Sequence, residues 1–233
     1  MDRLIYTALT AMRAQQAAQA VTANNLANAA TPGFRRELSA LTARWLDGGG
    51  DDTRAQADDV VRTAVLDAGV VSMTGGALDV ALDGPGWFAV QAADGGEAYT
   101  RRGDLRVTAN GVLETGDGLA VLGGSGPITV PPGADPVIAP DGSISASGLP
   151  VGRIKLATGD LVKRGDGLFG GALLDADPKL RLRSGALEGS NVDTAGSLVE
   201  LLEQSRSFET SAKLLRMTRE IDEGGARLMR LDN

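Results

Sequence analysis

The stretch that decides the fold is LVELLEQSRSFETSAKLL, at residues 198–215. Six of its residues fall alternately three and four positions apart, which is the spacing of a heptad seam: Leu198, Leu201, Ser205, Phe208, Ala212 and Leu215. A second stripe at the N-terminus contains Ile5, Leu9 and Met12, and an alanine-rich run then reaches Leu26. A narrow stripe buries little surface by itself. We therefore expect each end to pack against the other end or against another copy of the chain, as in a self-assembling subunit.

Both ends are predicted to be long helices. The first helix begins at Asp2, which can cap it, and runs to about Asn28, where Thr31-Pro32-Gly33 stops it. The second begins at Asp193 or Thr194 and ends near residue 222, and the two glycines at 224 and 225 are expected to fray or bend its end. An ordinary amphipathic helix on a local core remains an alternative for the first helix.

The residues between these helices alternate with period two, as in Leu78, Val80 and Leu82. Asp-Gly recurs at 83–84, 94–95, 117–118, 141–142 and 166–167, and Asn-Gly occurs at 110–111. These dipeptides favour tight turns between antiparallel strands because they tolerate positive φ. The prolines of residues 127–140 predict a loop or an edge strand there. Trp87 and Phe88 are expected to be ordinary core residues.

The resulting prediction is an α+β fold, with long N- and C-terminal helices pairing as a coiled coil and a central antiparallel β-rich domain. We expect four segments: an N-terminal helix at 1–30, a partly mobile linker or arm at 31–67, a β-rich domain at 68–192 and a C-terminal helix at 193–233. Residues 34–46 suit a helix or an irregular arm. The Gly- and Asp-rich residues 47–59 are typical of a solvated, mobile linker.

Composition excludes several classes of function. The chain has no Cys and no His, which excludes disulfides, thiolate or imidazole metal sites and Ser–His catalysis. We expect no cofactor and no metal. A net charge of −7 argues against nucleic acid as a partner. No apolar stretch is long enough to span a bilayer, so no membrane insertion is expected, and the N-terminus lacks the pattern of a cleaved secretory signal.

Two terminal motifs resemble a known family. Residues 23–36, ANNLANAATPGFRR, are similar to the N-terminal signature of bacterial flagellar rod and hook proteins. Residues 189–193, GSNVD, and 200–209, ELLEQSRSFE, resemble the signature at the other end. Residues 78–88 and 99–105 are similar to the β-domain that the family shares. The resemblance covers nearly the whole chain, and its opening residues 1–8 are most similar to a rod protein.

The resemblance implies that the protein is a subunit of an assembly and not a catalyst. It implies that the terminal helices stack around an export channel in the periplasm-crossing rod, and that the subunit leaves the cell through the flagellar type III export apparatus. The implied partners are identical copies and other rod subunits, both proximal and distal. The assembly interface is expected at Ile5, Leu9, Met12, Asn24, Asn25, Leu26, Asn28, Thr31, Pro32, Gly33, Phe34, Leu198, Leu201, Leu202, Phe208, Ala212 and Leu215.

Several of these residues have a plainer interpretation. The three asparagines suit hydrogen bonds across a subunit seam, but local capping of the helix end explains them as well. Phe208 suits a key seam position or an ordinary heptad core position. Thr31-Pro32-Gly33 is more typical of a turn than of a recognition motif. Arg35, Arg36 and Arg44 suit contacts with acidic faces of neighbours, although solvated charges are the default.

Other functions remain as alternatives. A distal rod or hook-type subunit of the same family is the nearest, although the chain has no room for the extra outer domains of a hook protein. A secreted coiled-coil adhesin or a tail protein belongs to another class, and the two terminal signatures argue against it. A glycosidase-like carboxylate pair is chemically conceivable, but a chain with 30 acidic residues contains some pair by chance.

Overall fold

The computed structural model describes residues 2–45 and 55–231. Two long helices, α1 (Asp2–Ala27) and α2 (Thr194–Leu231), lie at the ends of the described chain. The prediction for the first helix is confirmed to within one residue. The second helix continues beyond its predicted end near residue 222 and passes through the two glycines without a break.

The strands are short and lie between the helices. They are β1 (Glu37–Trp45), β2 (Ala55–Ala64), β3 (Val71–Met73), β4 (Val80–Asp83), β5 (Trp87–Gln91), β6 (Glu97–Thr100), β7 (Leu105–Val107), β8 (Leu113–Thr115), β9 (Leu122–Gly123), β10 (Gly126–Pro127), β11 (Pro136–Ile138), β12 (Ser143–Ala146), β13 (Leu149–Arg153), β14 (Leu156–Ala157), β15 (Val162–Lys163), β16 (Phe169–Gly170), β17 (Arg181–Ser184) and β18 (Ala186–Glu188). Strand β1 corrects the expectation of a helix or an irregular arm at 34–46. Of the acidic segment at 47–59, residues 47–54 lie outside the described residues, and 55–59 belong to β2.

The chain forms two compact units. The first, which we call the helical unit, contains residues 1–27, 37–63 and 193–233. The second, the β unit, contains residues 28–36 and 64–192. The segment at 28–36, which holds the second half of the N-terminal signature, therefore belongs to the β unit.

The helical unit pairs α1 with α2, and α1 also packs against β1. Residues 8–12 of α1 and residues 211–218 of α2 line one groove, while Thr22 lies beside Gln204. The two helices therefore run in opposite directions. Strands β1 and β2 form a two-stranded sheet in the same part of the chain.

The predicted coiled coil is wrong, although the two helices are in contact. The less exposed residues of α2 do follow heptad spacing within the described part of the helix, but most of them are polar or small: Ser197, Leu201, Gln204, Ser205, Phe208, Ser211, Ala212, Leu215 and Thr218. Leu198, which begins the predicted seam, is 49% exposed. A coiled coil needs apolar knobs at both repeating positions, and this face supplies them at only one.

The β unit is antiparallel throughout its described pairs. Its largest sheet has five strands in the order β14-β5-β6-β16-β15, and β11 lies at the edge of a three-stranded sheet with β12 and β13. This edge position confirms the prediction for the proline-rich stretch at 127–140. The glycine of every Asp-Gly and Asn-Gly dipeptide named above has positive φ, which confirms the turns.

The main core lies in the β unit. Its buried side chains are mostly aliphatic, because the chain has few aromatic residues: Val80, Leu82, Phe88, Leu105, Leu113, Val121, Ile128, Ile138, Ile144, Ile154, Leu156, Leu180 and Leu182. A second cluster centres on Trp87 and Phe169, whose ring centroids are 4.3 Å apart. Trp87 and Phe88 are therefore core residues, as the sequence predicted.

Candidate assembly site

The face of α1 that packs in the helical unit carries small side chains. Ala14, Val21, Thr22 and Asn25 are buried there, at spacings of seven, one and three residues. These positions differ from the predicted stripe: Leu9 is 40% exposed and Met12 is half-buried. Small residues let two helices approach closely, but each one removes little apolar surface from water.

Gln204 forms the polar centre of the helix pair. Its Nε2 donates to the Thr22 hydroxyl at 3.1 Å and to Glu200 Oε1 at 3.1 Å, while Gln15 Nε2 donates to its backbone oxygen at 3.3 Å. The Oε1 atom of Gln204 is buried and has no partner among the described residues. The hydrogen bonds of Gln204 to α1 fix the register of the two helices. Because a buried polar atom without a partner costs free energy, they add little to the stability of the pair.

Large apolar residues remain exposed along α2. They include two members of the predicted interface and four residues outside it: Leu198, Val199, Leu202, Leu214, Met217 and Ile221, which are 49–71% exposed. The other predicted members, Leu201, Phe208, Ala212 and Leu215, are half-buried against the rest of the helical unit. Single exposed leucines are common, but six on one helix form a surface suited to a protein partner.

A groove lies between the two helices beside Leu214, one of these exposed residues. It has a volume of about 300 Å³ and is lined mainly by apolar atoms of α1 and α2: Ala8, Ala11, Met12, Ser211, Leu214, Leu215 and Thr218. Of the predicted residues, Met12 and Leu215 meet in this groove. Ile5 belongs to the same helix, α1.

Asn25 ties the end of α1 to the start of β1. Its side-chain amide donates to the Glu37 oxygen at 2.7 Å, and its Oδ1 accepts from the Glu37 nitrogen at 2.8 Å. Both groups of this buried amide are thus used inside the chain. Asn24 is exposed on the helix surface and Leu26 is half-buried.

The segment after α1 turns sharply within the β unit. Asn28 Oδ1 accepts from the Thr31 hydroxyl at 3.1 Å, and Phe34 N donates to Thr31 O at 3.3 Å. Pro32 and Gly33, with a Gly33 φ of 68°, occupy the middle positions of this turn as a type II turn requires. An ideal Cβ on Gly33 would lie 2.3 Å from the backbone carbon of Arg101, so only glycine fits.

Arg35 is buried rather than solvated. Its Nη2 lies 2.6 Å from Glu188 Oε1, and Arg101 Nη2 lies 3.0 Å from Glu188 Oε2. Arg101 Nη1 also donates to the Gly84 and Gly86 oxygens at 2.9 and 2.7 Å. Removal from water lowers the pKa of Arg101; the Glu188 carboxylate opposes this shift, and the charge of Arg35 adds to it.

Asn191 completes the attachment of the signature segment. Its Oδ1 accepts from the Arg36 nitrogen at 2.6 Å, and its Nδ2 donates to the oxygens of Val65 and Asp67 at 2.9 and 2.8 Å. Phe34 lies under the Lys163 ammonium, 3.9 Å from the ring centroid. The two terminal signatures therefore meet in the β unit through Arg35, Glu188 and Asn191. Sequence reasoning missed Glu188 and Asn191 as partners of the first signature, although the GSNVD motif contained Asn191.

Within the described part of the chain, no helix combines the length and the apolar character needed to cross a membrane. The same residues contain no group of three or more carboxylates arranged to hold a metal ion.

Three family models match successive parts of the chain. The model described as flagella basal body rod protein matches residues 5–35, and the flagellar hook protein FlgE/F/G D1 domain matches residues 81–146. The flagellar basal body rod FlgEFG protein C-terminal model matches residues 183–228. The first and third matches cover most of α1 and α2 and nearly all of the two terminal signatures.

Whole-chain relatives agree with these models. The chain is 45% identical to the flagellar basal-body rod protein FlgF of Escherichia coli, over 92% of this chain and 93% of the relative. It is 34% identical to FlgF of Caulobacter vibrioides, over 95% of each chain. Similarity to the rod protein FlgG of Bacillus subtilis is lower, at 29% identity over 95% of this chain and 97% of the relative. The chain belongs to the FlgF family of flagellar basal-body rod proteins.

Proposed function

We propose that this chain builds the flagellar rod by polymerising through the helical unit, with α1 and α2 packing against the same helices of neighbouring subunits. A chain of this family is a structural subunit of the basal-body rod, and the rod is its location. The proposal concerns the part of the chain that carries out assembly.

The observation that carries the proposal is the small amount of apolar burial among the described side chains of the helical unit. Among its described apolar side chains, only Ala14 and Val21 are fully buried, whereas the core clusters lie in the β unit. For the described side chains this burial is small beside the backbone entropy of about 1–2 kcal/mol that ordering each residue of the two helices costs. Contacts with further subunits would supply the missing burial.

The exposed apolar residues of α2 indicate where those contacts form. We propose that Leu198 and Leu202, together with Leu9 on α1, contact neighbouring subunits, and that the groove beside Met12 and Leu215 receives a side chain from one of them. Leu201, Phe208 and Ala212 would instead hold the two helices of one subunit together. The remaining predicted residues, Ile5, Asn24, Asn25, Leu26, Asn28, Thr31, Pro32, Gly33 and Phe34, would complete or support this surface.

The partners in this proposal are identical copies and the proximal and distal rod proteins. Repeated contacts between different faces, which do not close into a ring, generate a helical tube. Such a tube would surround the export channel and transmit torque across the periplasm. Export would occur through the flagellar type III apparatus, and neither nucleic acid nor membrane insertion has a part in the proposal.

Each segment of the chain would have its own role in the rod. Residues 1–30 and 193–233 would form the axial core, residues 31–67 the arm, and residues 68–192 the rod domain at the outer wall. The role would be structural and not catalytic, in keeping with relatives that are rod proteins.

Replacing Leu202 with Glu tests the proposal. Leu202 is 54% exposed in the single chain, so the variant should keep the folded β unit and the thermal midpoint of the wild type. It should nevertheless fail to restore motility, and rods should not contain it. Glu203→Gln, at the next and also exposed position, is the matched control and should behave as wild type. Normal incorporation of the Leu202→Glu subunit would refute the proposed interface.

A further inference from the structure

The β unit contains a cavity beside the two buried arginines. It has a volume of about 200 Å³, and its lining combines Arg35 and Arg101 with apolar side chains and with Asp160. Arg35 and Arg101 are 2% and 5% exposed, so both charges lie inside the protein and not at its surface.

The charges around this cavity do not balance. Arg35 and Arg101 share one carboxylate, that of Glu188, which leaves one excess positive charge in a buried position. Asp160 also lines the cavity, but it is exposed and forms no ion pair with either arginine. A buried charge without a counterion is costly, so the site favours a second anionic group.

The arginines also have unused donors. Nε and Nη1 of Arg35 and Nε of Arg101 are buried and have no hydrogen-bond partner among the described residues. Their other nitrogens hold Glu188 and the oxygens of Gly84 and Gly86. The three spare nitrogens are covered by neighbouring atoms, so an anion in the cavity is attracted by the excess positive charge and accepts from them after a small movement of the arginine side chains.

We propose that this cavity binds an anionic oxygen group of the carboxylate or phosphate class, held by Arg35 and Arg101. The volume accommodates one such group with water. Asp160 at the rim weakens the binding of the anion by like-charge repulsion, and it thereby tunes the affinity of the site. The ligand is either a free anion or an Asp or Glu side chain of a neighbouring subunit.

The test is a titration of the full-length monomer with sodium phosphate, and separately with acetate, at constant ionic strength. The arginine Nε–H resonances are followed by NMR. Those of Arg35 and Arg101 should shift and saturate in the millimolar range. The Nε–H groups of Arg102 and Arg106 already donate to Asp104 and Glu114. Their resonances therefore serve as internal controls and should not show saturable shifts. A uniform, unsaturable drift of all four resonances would overturn the proposal.

Variants at the rim give a second readout without disturbing the buried ion pairs. Asp160→Asn should tighten phosphate binding roughly two- to fivefold, whereas Asp135→Asn, an exposed position away from the cavity lining, should not change it. If Asp160→Asn bound phosphate as tightly as the wild type or more weakly, the result would contradict the proposed anion site in the cavity.

The two sources of the anion are separated by self-association of the wild-type chain, measured by sedimentation with and without saturating phosphate. If the ligand is a side chain of a neighbour, phosphate competes with it and reduces association. If the ligand is a free anion, association is unchanged or increases. Both results support the proposal once saturable binding is seen, and neither depends on rod incorporation in cells.

Discussion

Asn25 pairs with both backbone polar groups of Glu37, donating to its oxygen at 2.7 Å and accepting from its nitrogen at 2.8 Å. The side-chain amide thereby makes the two hydrogen bonds that the backbone of a neighbouring strand would make. These bonds fix the start of β1 against the end of α1. Sequence analysis left a subunit seam and local capping of the helix end as alternatives for this asparagine, and in the structure both of its hydrogen-bonding groups are used within the chain. These two bonds orient β1 relative to α1.

Asn25→Asp should weaken this junction. A carboxylate cannot donate to the Glu37 oxygen and would repel it, at a cost of about 3 kcal/mol for a buried pair. Hydrogen exchange of the Glu37 amide measures the effect directly, and its protection should fall about a hundredfold or more. Gln16→Ala, at an exposed position of the same helix, is the control. Equal protection in Asn25→Asp and the wild type would contradict the assigned role.

Glu188→Gln should destabilise the β unit strongly. The change removes the only carboxylate paired with Arg35 and Arg101 among the described residues and leaves two like charges buried, at a cost of about 3–5 kcal/mol. Denaturant unfolding provides the measurement. Asp83→Asn breaks an exposed pair with Arg183 at 3.1 Å and should cost less than about 1 kcal/mol. Similar losses in both variants would argue against a structural role of the buried pairs.

Gly33→Ala tests the turn after α1. The new Cβ would strain a φ of 68° and would also collide with the backbone of Arg101 at 2.3 Å. Gly95→Ala is the matched control, since Gly95 has a φ of 82° but no atom within 4 Å of its ideal Cβ. We expect the control to lose about 1–2 kcal/mol of unfolding free energy, from backbone strain alone. Gly33→Ala should lose clearly more. Equal thermal shifts would mean that the close approach to Arg101 is unimportant.

The β unit should lose stability at alkaline pH because of Tyr99. Burial raises the pKa of this phenol to about 12, against an ordinary value of 10.0, so the folded state favours the neutral form. The resulting stability is fully present below pH 10 and is lost as the pH rises towards about 12. Unfolding free energies measured across this range should fall less steeply in Tyr99→Phe than in the wild type. Parallel slopes would contradict the assignment.

Sequence patterns predicted the parts of the fold that depend on local chemistry. Helix α1, the antiparallel pairing and the Asp-Gly turns follow from periodicity and from the preference of glycine for positive φ. The coiled coil failed because the spacing of Leu201, Phe208 and Leu215 located the inward face of α2 but did not reveal the polar residues at its other repeating position. The structure turns Gln204 and Ser211 towards α1, and Leu198 away from it.

Long-range polar contacts were not predictable from one sequence. For Arg35, sequence analysis offered a neighbour's acidic face or, by default, a solvated charge, because no pattern in the sequence links it to Glu188, 153 residues later. The same applies to Asn191, whose three backbone partners lie more than 100 residues earlier. For the proposed assembly site, the terminal stripes located the two helices but not which of their side chains remain exposed.

The most direct test of polymerisation through the helical unit is a cryo-electron microscopy map of purified hook–basal bodies at side-chain resolution. We predict that α1 and α2 of this subunit line the inner layer of the rod, with Leu198 and Leu202 buried against neighbouring subunits. A map in which these leucines face solvent, and in which subunits contact each other only through the β unit, would contradict the account.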